Sequence, residues 1–148
     1  MSININEFNS LIQRLKQDTS NHKLWIDLGF MYNNLKKSKQ SLECFNIAKD
    51  LSPLDPECMY ALGYFNYYQG KYNDAKSNYL LSIKLAYGDP FQKNIPLIMY
   101  YIGLCELALG NKKDWLLMNE YRPKQALKDF YKVCDESTTE CIHNLKEI

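Results

Sequence analysis

Trp25, Leu28 and Gly29 recur 34 residues later as Met59, Leu62 and Gly63. Two further positions keep that offset, with Ser41 matched by Ala75 and Phe45 by Tyr79. Size class is preserved at every one of these positions, which chance rarely gives. Trp25, Leu28 and Tyr32 stand at i, i+3 and i+7, one face of a helix. Gly29 sits among them, although glycine inside a helix costs about 1 kcal/mol against alanine. Close approach of a second helix to its bare backbone accounts for it. On that second helix Ser41 and Phe45 are one turn apart and share a face. The small residue admits the neighbouring helix and the aromatic fills the space beside it. Pro53 then ends the second helix, because proline cannot continue one. Such a chain folds as stacked helical hairpins, each unable to bury its apolar face alone.

The run W-x-x-L-G-x-x-Y at Trp25 to Tyr32, followed by Ser41, Phe45, Ala48 and Pro53, resembles the tetratricopeptide repeat (TPR), a helix–turn–helix of about 34 residues. The resemblance implies an all-α fold, a right-handed α-solenoid of three TPR-like repeats with flanking N- and C-terminal helices. As a single domain over 1–148, it divides into an N-terminal helix within 1–21, repeat one at 22–55 and repeat two at 56–89. Repeat three occupies 96–122 after an inserted loop at 90–95, and 123–148 supplies packing or capping helices. The insertion follows from register. Met99, Ile102 and Gly103 match Met59, Leu62 and Gly63 at an offset of 40, and Gly110 matches Gly70 at the same offset. Pro96 suits the first turn of that helix.

Two assignments of the last partner helix stay open. Repeat register asks for a small residue near Trp115 and an aromatic near Asn119, and neither is present. The pair reappears as Ala126 and Phe130, beyond Pro123. Either 112–121 is the partner and 124–134 an additional packing helix, which is favoured, or 112–121 is an insertion and 124–134 the partner. Ser137-Thr138-Thr139-Glu140 is a capping box. It opens a short helix with Ile142 and Leu145, of the kind that covers a solenoid's last open face. At the other end, residues 6–17 read as a helix with an apolar stripe of Phe8, Leu11, Ile12 and Leu15, capped by Asn4 or Asn6.

Composition narrows function by exclusion. The chain has 148 residues and a net charge of +1 from 18 basic and 17 acidic side chains. That balance gives no electrostatic reason to expect nucleic acid or an anionic membrane. No apolar run approaches the roughly 18 residues needed to span a bilayer, so membrane insertion is not expected. The N-terminus lacks the basic and apolar regions of a signal peptide. The five cysteines show no paired spacing. Free thiols in a reducing cytoplasm are therefore expected.

Catalysis and cofactors find no support. His22 and His143, the two histidines, lie at opposite ends of the chain, so one shared nucleophilic site is not expected. Cys134, Cys141 and His143 are the one cluster resembling metal ligands, but their spacing fits no zinc pattern and a fourth ligand is not evident. The expectation is a protein that is not an enzyme, with no metal and no cofactor.

The stretch Glu57 to Gln69 is more informative. Met59, Leu62, Gly63 and Asn66 hold the packing positions, while Tyr60, Tyr64 and Tyr67 form a second stripe at i, i+4 and i+7. A helix apolar on both faces is buried on both or binds something. In TPR proteins the first helices line a concave groove. The resemblance places Ile26, Phe30, Asn33, Tyr60, Tyr64, Tyr67, Tyr100 and Leu104 there, with Tyr68 and Tyr101 beside them. Tyrosine suits a peptide groove, offering a rigid face and a hydroxyl that order at low entropy cost. The alternative is that these rings only pack between tightly curled helices. The repeats that clamp the C-terminal carboxylate of chaperones use groove Lys, Arg and Asn. Here Ile26 and Phe30 stand at those places and Asn33 alone has the right chemistry.

The expected function is an adaptor that holds an apolar or aromatic peptide segment of another protein in this groove, as a monomer or weak homodimer. Two alternatives resemble known uses of the fold: a chaperone like those of type III secretion translocators, and a structural, self-assembling subunit.

Overall fold

The computed structural model describes residues 4–111. Six α-helices follow one another: α1 (Ile5–Gln17), α2 (His22–Asn34), α3 (Ser38–Leu51), α4 (Pro56–Tyr68), α5 (Tyr72–Ala86) and α6 (Ile95–Ala108). A 3₁₀ turn, Pro90–Asn94, precedes α6 within the stretch expected as an inserted loop. There is no strand among the described residues. The architecture is an all-α solenoid in which α2 packs along α3, α4 along α5, and α5 on to α6. The helices expected at 112–121, at 124–134 and after Ser137 lie outside the described residues.

Local chemistry sets the helix ends. Asn21 and Asp55 stand 34 residues apart, and each side chain accepts a hydrogen bond from the backbone two residues on, at Lys23 and Glu57. Asp89, a further 34 on, does the same for Phe91 at the 3₁₀ turn. These are ordinary N-cap contacts that satisfy donors the helix leaves free.

The C-terminal ends of the first helices share one turn. Lys37 donates to the Tyr32 carbonyl, Lys71 to Asn66 and Asn111 to Glu106, the closure that reverses the chain after a helix. The turn needs a left-handed residue, supplied by Gly70 at φ +76° and by Lys36 at φ +60°. A lysine there is strained where glycine is not.

Within the hairpins α2–α3 and α4–α5 the recurrent aromatic lies on the recurrent glycine. The Phe45 ring covers Gly29, and the Tyr79 ring covers Gly63 so closely that an added Cβ would stand 2.7 Å from Tyr79 Cδ1. Real Cβ atoms essentially never come within 3.0 Å. Phe45 and Tyr79 are buried, as are Ser41 and Ala75 one turn before them. Ser41 is more than small, since its hydroxyl donates to the Gly29 carbonyl at 2.7 Å.

Polar contacts tie successive hairpins. Asp55 caps α4 with one oxygen and pairs with His22 through the other. Beside it Lys23 meets Glu57 at 3.0 Å. Glu106 is the buried charge of α6, held by Lys76 of α5 and by Asn111. Burial alone would push its carboxyl up, but the hydrogen bonds from Lys76 and Asn111 outweigh that and hold it below its ordinary value. The run Tyr100 to Glu106 is buried without a break, so this central part of α6 is enclosed.

Two substitutions with opposite signs test these assignments. Gly63→Ala improves intrinsic helix propensity by about 1 kcal/mol but drives a methyl into the Tyr79 ring, where overpacking costs about 1–3 kcal/mol. It should lower the melting temperature. Lys36→Gly relieves a left-handed non-glycine residue worth roughly 1 kcal/mol and should raise it. Thermal melts of both variants check the pair; a Gly63→Ala protein more stable than its parent would contradict the packing described.

Candidate functional site

The tyrosines of α4 join a continuous array of rings. Phe30 of α2 lies 5.1 Å from Phe45 and 5.3 Å from Tyr64, both edge to face. Tyr64 reaches Tyr68 at 4.6 Å and Tyr101 of α6 at 6.0 Å. Tyr67 meets Tyr101 at 5.4 Å and Tyr72 of α5 at 5.8 Å. Tyr60 packs on Tyr79 and on Phe91, each at 5.9 Å. Beneath them Tyr79 and Tyr101 stack at 5.4 Å. These centroid separations are those of attractive aromatic pairs.

The eight residues expected in the groove divide into two sets. Phe30, Asn33, Tyr60, Tyr64 and Tyr67 are half-buried. Ile26 and Tyr100 are 0% exposed and Leu104 4%, so these three present no side-chain surface to a groove. Ile26 is enclosed with Phe45 and Ala48 of α3 and with Cys58, Ala61 and Leu62 of α4. It fills the junction of three helices rather than facing outward. Tyr100 and Leu104 belong to the cluster that holds Ala75 and Tyr79 of α5. Tyr68 is the best presented ring of the array, at 44% exposed.

The phenols of Tyr60, Tyr68 and Tyr79 stay neutral. Burial, with Tyr64 adding to it, pushes the Tyr60 and Tyr68 hydroxyls up. Burial holds the Tyr79 hydroxyl well above its ordinary value too. The array therefore offers ring faces and neutral hydroxyls, suited to apolar and aromatic contact.

A cleft of about 560 Å³ opens between α1 and α2. Leu11, Phe30 and Met31 give it apolar walls, and Asn6, Glu7, Ser10, Arg14 and Asp27 polar ones. Phe30 is thus shared between this cleft and the tyrosine array. In the sequence α1 reads as a helix with an apolar stripe, and its part in lining a cleft is missed. The signal was present: Glu7, Ser10 and Arg14 stand at i, i+3 and i+7 on one helical face. A second cleft, about 690 Å³, lies at the starts of α2 and α4 beside the 3₁₀ turn. Its His22, Lys23, Asp55 and Glu57 are already engaged with one another.

Among the described residues no three His, Cys, Asp or Glu side chains gather as metal ligands. Cys134, Cys141 and His143 lie outside the described residues. Cys44, Cys58 and Cys105 are buried free thiols. Burial pushes Cys44 up to about 11 and Cys58 and Cys105 to about 12, which leaves them protonated and unreactive. No described helix is long and apolar enough to cross a membrane.

No family model matches the chain, and no curated protein sequence matches it. Among solved structures the chain is similar to the crystal structure of MamA, a TPR-like protein, with a TM-score of 0.61 and 19% identity. The similarity covers 76% of this chain and 63% of that one, so this chain spans less than two thirds of the MamA chain. At that identity the likeness is one of fold, and the fold is TPR-like.

Proposed function

We propose that this chain is a non-enzymatic interaction module that holds an apolar or aromatic segment of another protein against the aromatic face of α2 and α4. Phe30, Asn33, Tyr60, Tyr64, Tyr67 and Tyr68 form the contact surface. The observation that carries the proposal is Tyr68, a large ring 44% exposed at the edge of a packed aromatic array. That ring is continuous with the half-buried rings of Tyr64 and Tyr67, and a contiguous aromatic patch, unlike a lone exposed ring, marks a binding surface. The half-buried rings behind it are pre-ordered by their neighbours, so a docking segment loses little entropy in ordering them. Neutral phenols add hydrogen-bonding capacity without a charge to desolvate.

The buried free thiols Cys44, Cys58 and Cys105 fit a reducing compartment, and we place the module in the cytoplasm. The partner it co-purifies with separates an adaptor from a secretion chaperone. The first brings down a larger complex and the second a single client.

Tyr68→Glu tests the surface. The side chain is exposed, so the variant should melt within a few degrees of the parent. A peptide selected on the parent by phage display should lose roughly thirtyfold in affinity, as removal of an aromatic anchor costs an interface about 2 kcal/mol and the new carboxylate must be desolvated. Selected peptides that bind a folded Tyr68→Glu protein as well as the parent would refute this surface.

A further inference from the structure

We infer that the segment held on the aromatic face carries a lysine or arginine, whose charge is received by Glu7 and Asp27 in the α1–α2 cleft and whose aliphatic stem lies on Phe30 and Met31. This inference rests on the proposed binding face and adds the partner's chemistry to it.

Three observations converge. The first is continuity. Phe30 lines the cleft and its ring centre is 5.3 Å from that of Tyr64, so a segment lying across Tyr64 and Tyr68 ends beside the cleft mouth. The second is charge. The cleft holds two carboxylates, Glu7 and Asp27, against the single guanidinium of Arg14. The described ion pairs are His22–Asp55, Lys23–Glu57 and Lys76–Glu106, and none of them uses these three side chains. One acidic group therefore remains for an incoming cation. The third is shape and surface. Apolar walls under a polar rim fit a lysine or arginine, which buries its methylenes while its head stays among polar groups. The faces of Phe30 and Tyr64 add attraction for a cation.

Asp27 reinforces the assignment. Burial first, and then the Glu57 charge, push its carboxyl up, and Arg14 and Lys23 do not fully offset them. Its ionised form is thus disfavoured in the folded chain. An incoming cation relieves that disfavour. A carboxylate entering the same cleft would gain Arg14 and meet two like charges.

The probes are three end-blocked, fluorescein-labelled peptides with one shared core, Leu-Phe-Leu-Trp. They differ only in the pair preceding it: Lys-Lys, Gln-Gln or Glu-Glu. Affinities are read by fluorescence anisotropy at low salt and at about 0.5 M salt, where exposed charges are screened beyond a few ångströms. The lysine peptide should bind about three- to tenfold tighter than the glutamine peptide, the range of one or two partly exposed ion pairs. The glutamate peptide should bind weakest, and high salt should compress the order. Glu7→Gln combined with Asp27→Asn should abolish the lysine preference, so that the lysine and glutamine peptides bind alike. Arg14→Gln should enlarge it, which provides a second variant if the double one folds poorly. Equal binding of the three peptides, tightest binding of the glutamate peptide, or a lysine preference insensitive to Arg14→Gln overturns the cation inference and leaves the aromatic face standing. Binding by none of the three overturns the inference together with the face it rests on.

Discussion

An aromatic ring resting on bare glycine backbone holds both of the hairpins that lie within the described residues. Phe45 lies on Gly29 and Tyr79 on Gly63, closer than any side chain on the glycine would allow. A helical glycine gives up about 1 kcal/mol of propensity, but burying an aromatic returns several times that, since such a ring covers roughly 150–250 Å². The contact also fixes how near the two helices stand. That spacing leaves room for Ser41 to reach the Gly29 carbonyl and for Ala75 to be fully enclosed. The second ring does more than close its hairpin. Tyr79 stacks on Tyr101 of α6 and supports Tyr60 of α4, so the packing of one hairpin becomes the floor of the aromatic face.

The proposed binding surface inherits its order from that floor. Tyr64 and Tyr67 are set by Phe30, Tyr68, Tyr72 and Tyr101. They are half-buried and pre-positioned, while Tyr68 at the edge remains open to solvent. Charges gather away from the rings. His22, Lys23, Asp55 and Glu57 link the starts of α2 and α4. Glu7, Arg14 and Asp27 occupy the cleft at the other border of Phe30. The face is therefore apolar at its centre and polar at its margin, as recognition surfaces commonly are.

Much of the fold was legible because its requirements fall on few residue types. Glycine under a ring, a small residue one turn earlier, and Asn or Asp at 34-residue intervals before a helix each leave a mark at a fixed offset. The turn after α2 was harder to read, since Lys36 takes the left-handed place that Gly70 and Gly110 take elsewhere. The binding face was legible only in part. Periodicity shows that Tyr60, Tyr64 and Tyr67 share a helical face, but it cannot show which faces the next hairpin covers. That depends on the rotation between hairpins, which packing sets. Ile26 illustrates the point: it shares a helical face with Phe30 and Asn33, yet Cys58, Ala61 and Leu62 of α4 close over it. Tyr100 and Leu104 are buried because the whole run Tyr100 to Glu106 is, a property in keeping with its nearly unbroken apolar sequence.

A double-mutant cycle on Gly63→Ala and Tyr79→Leu, followed by denaturant unfolding, tests most directly whether the ring on the glycine is the governing constraint. If it is, the added methyl destabilises the parent but becomes neutral or stabilising once the ring is gone. The two changes then differ from additivity by about 1 kcal/mol or more, as contacting residues do. Additivity within about 0.5 kcal/mol, the behaviour of independent sites, would contradict the account.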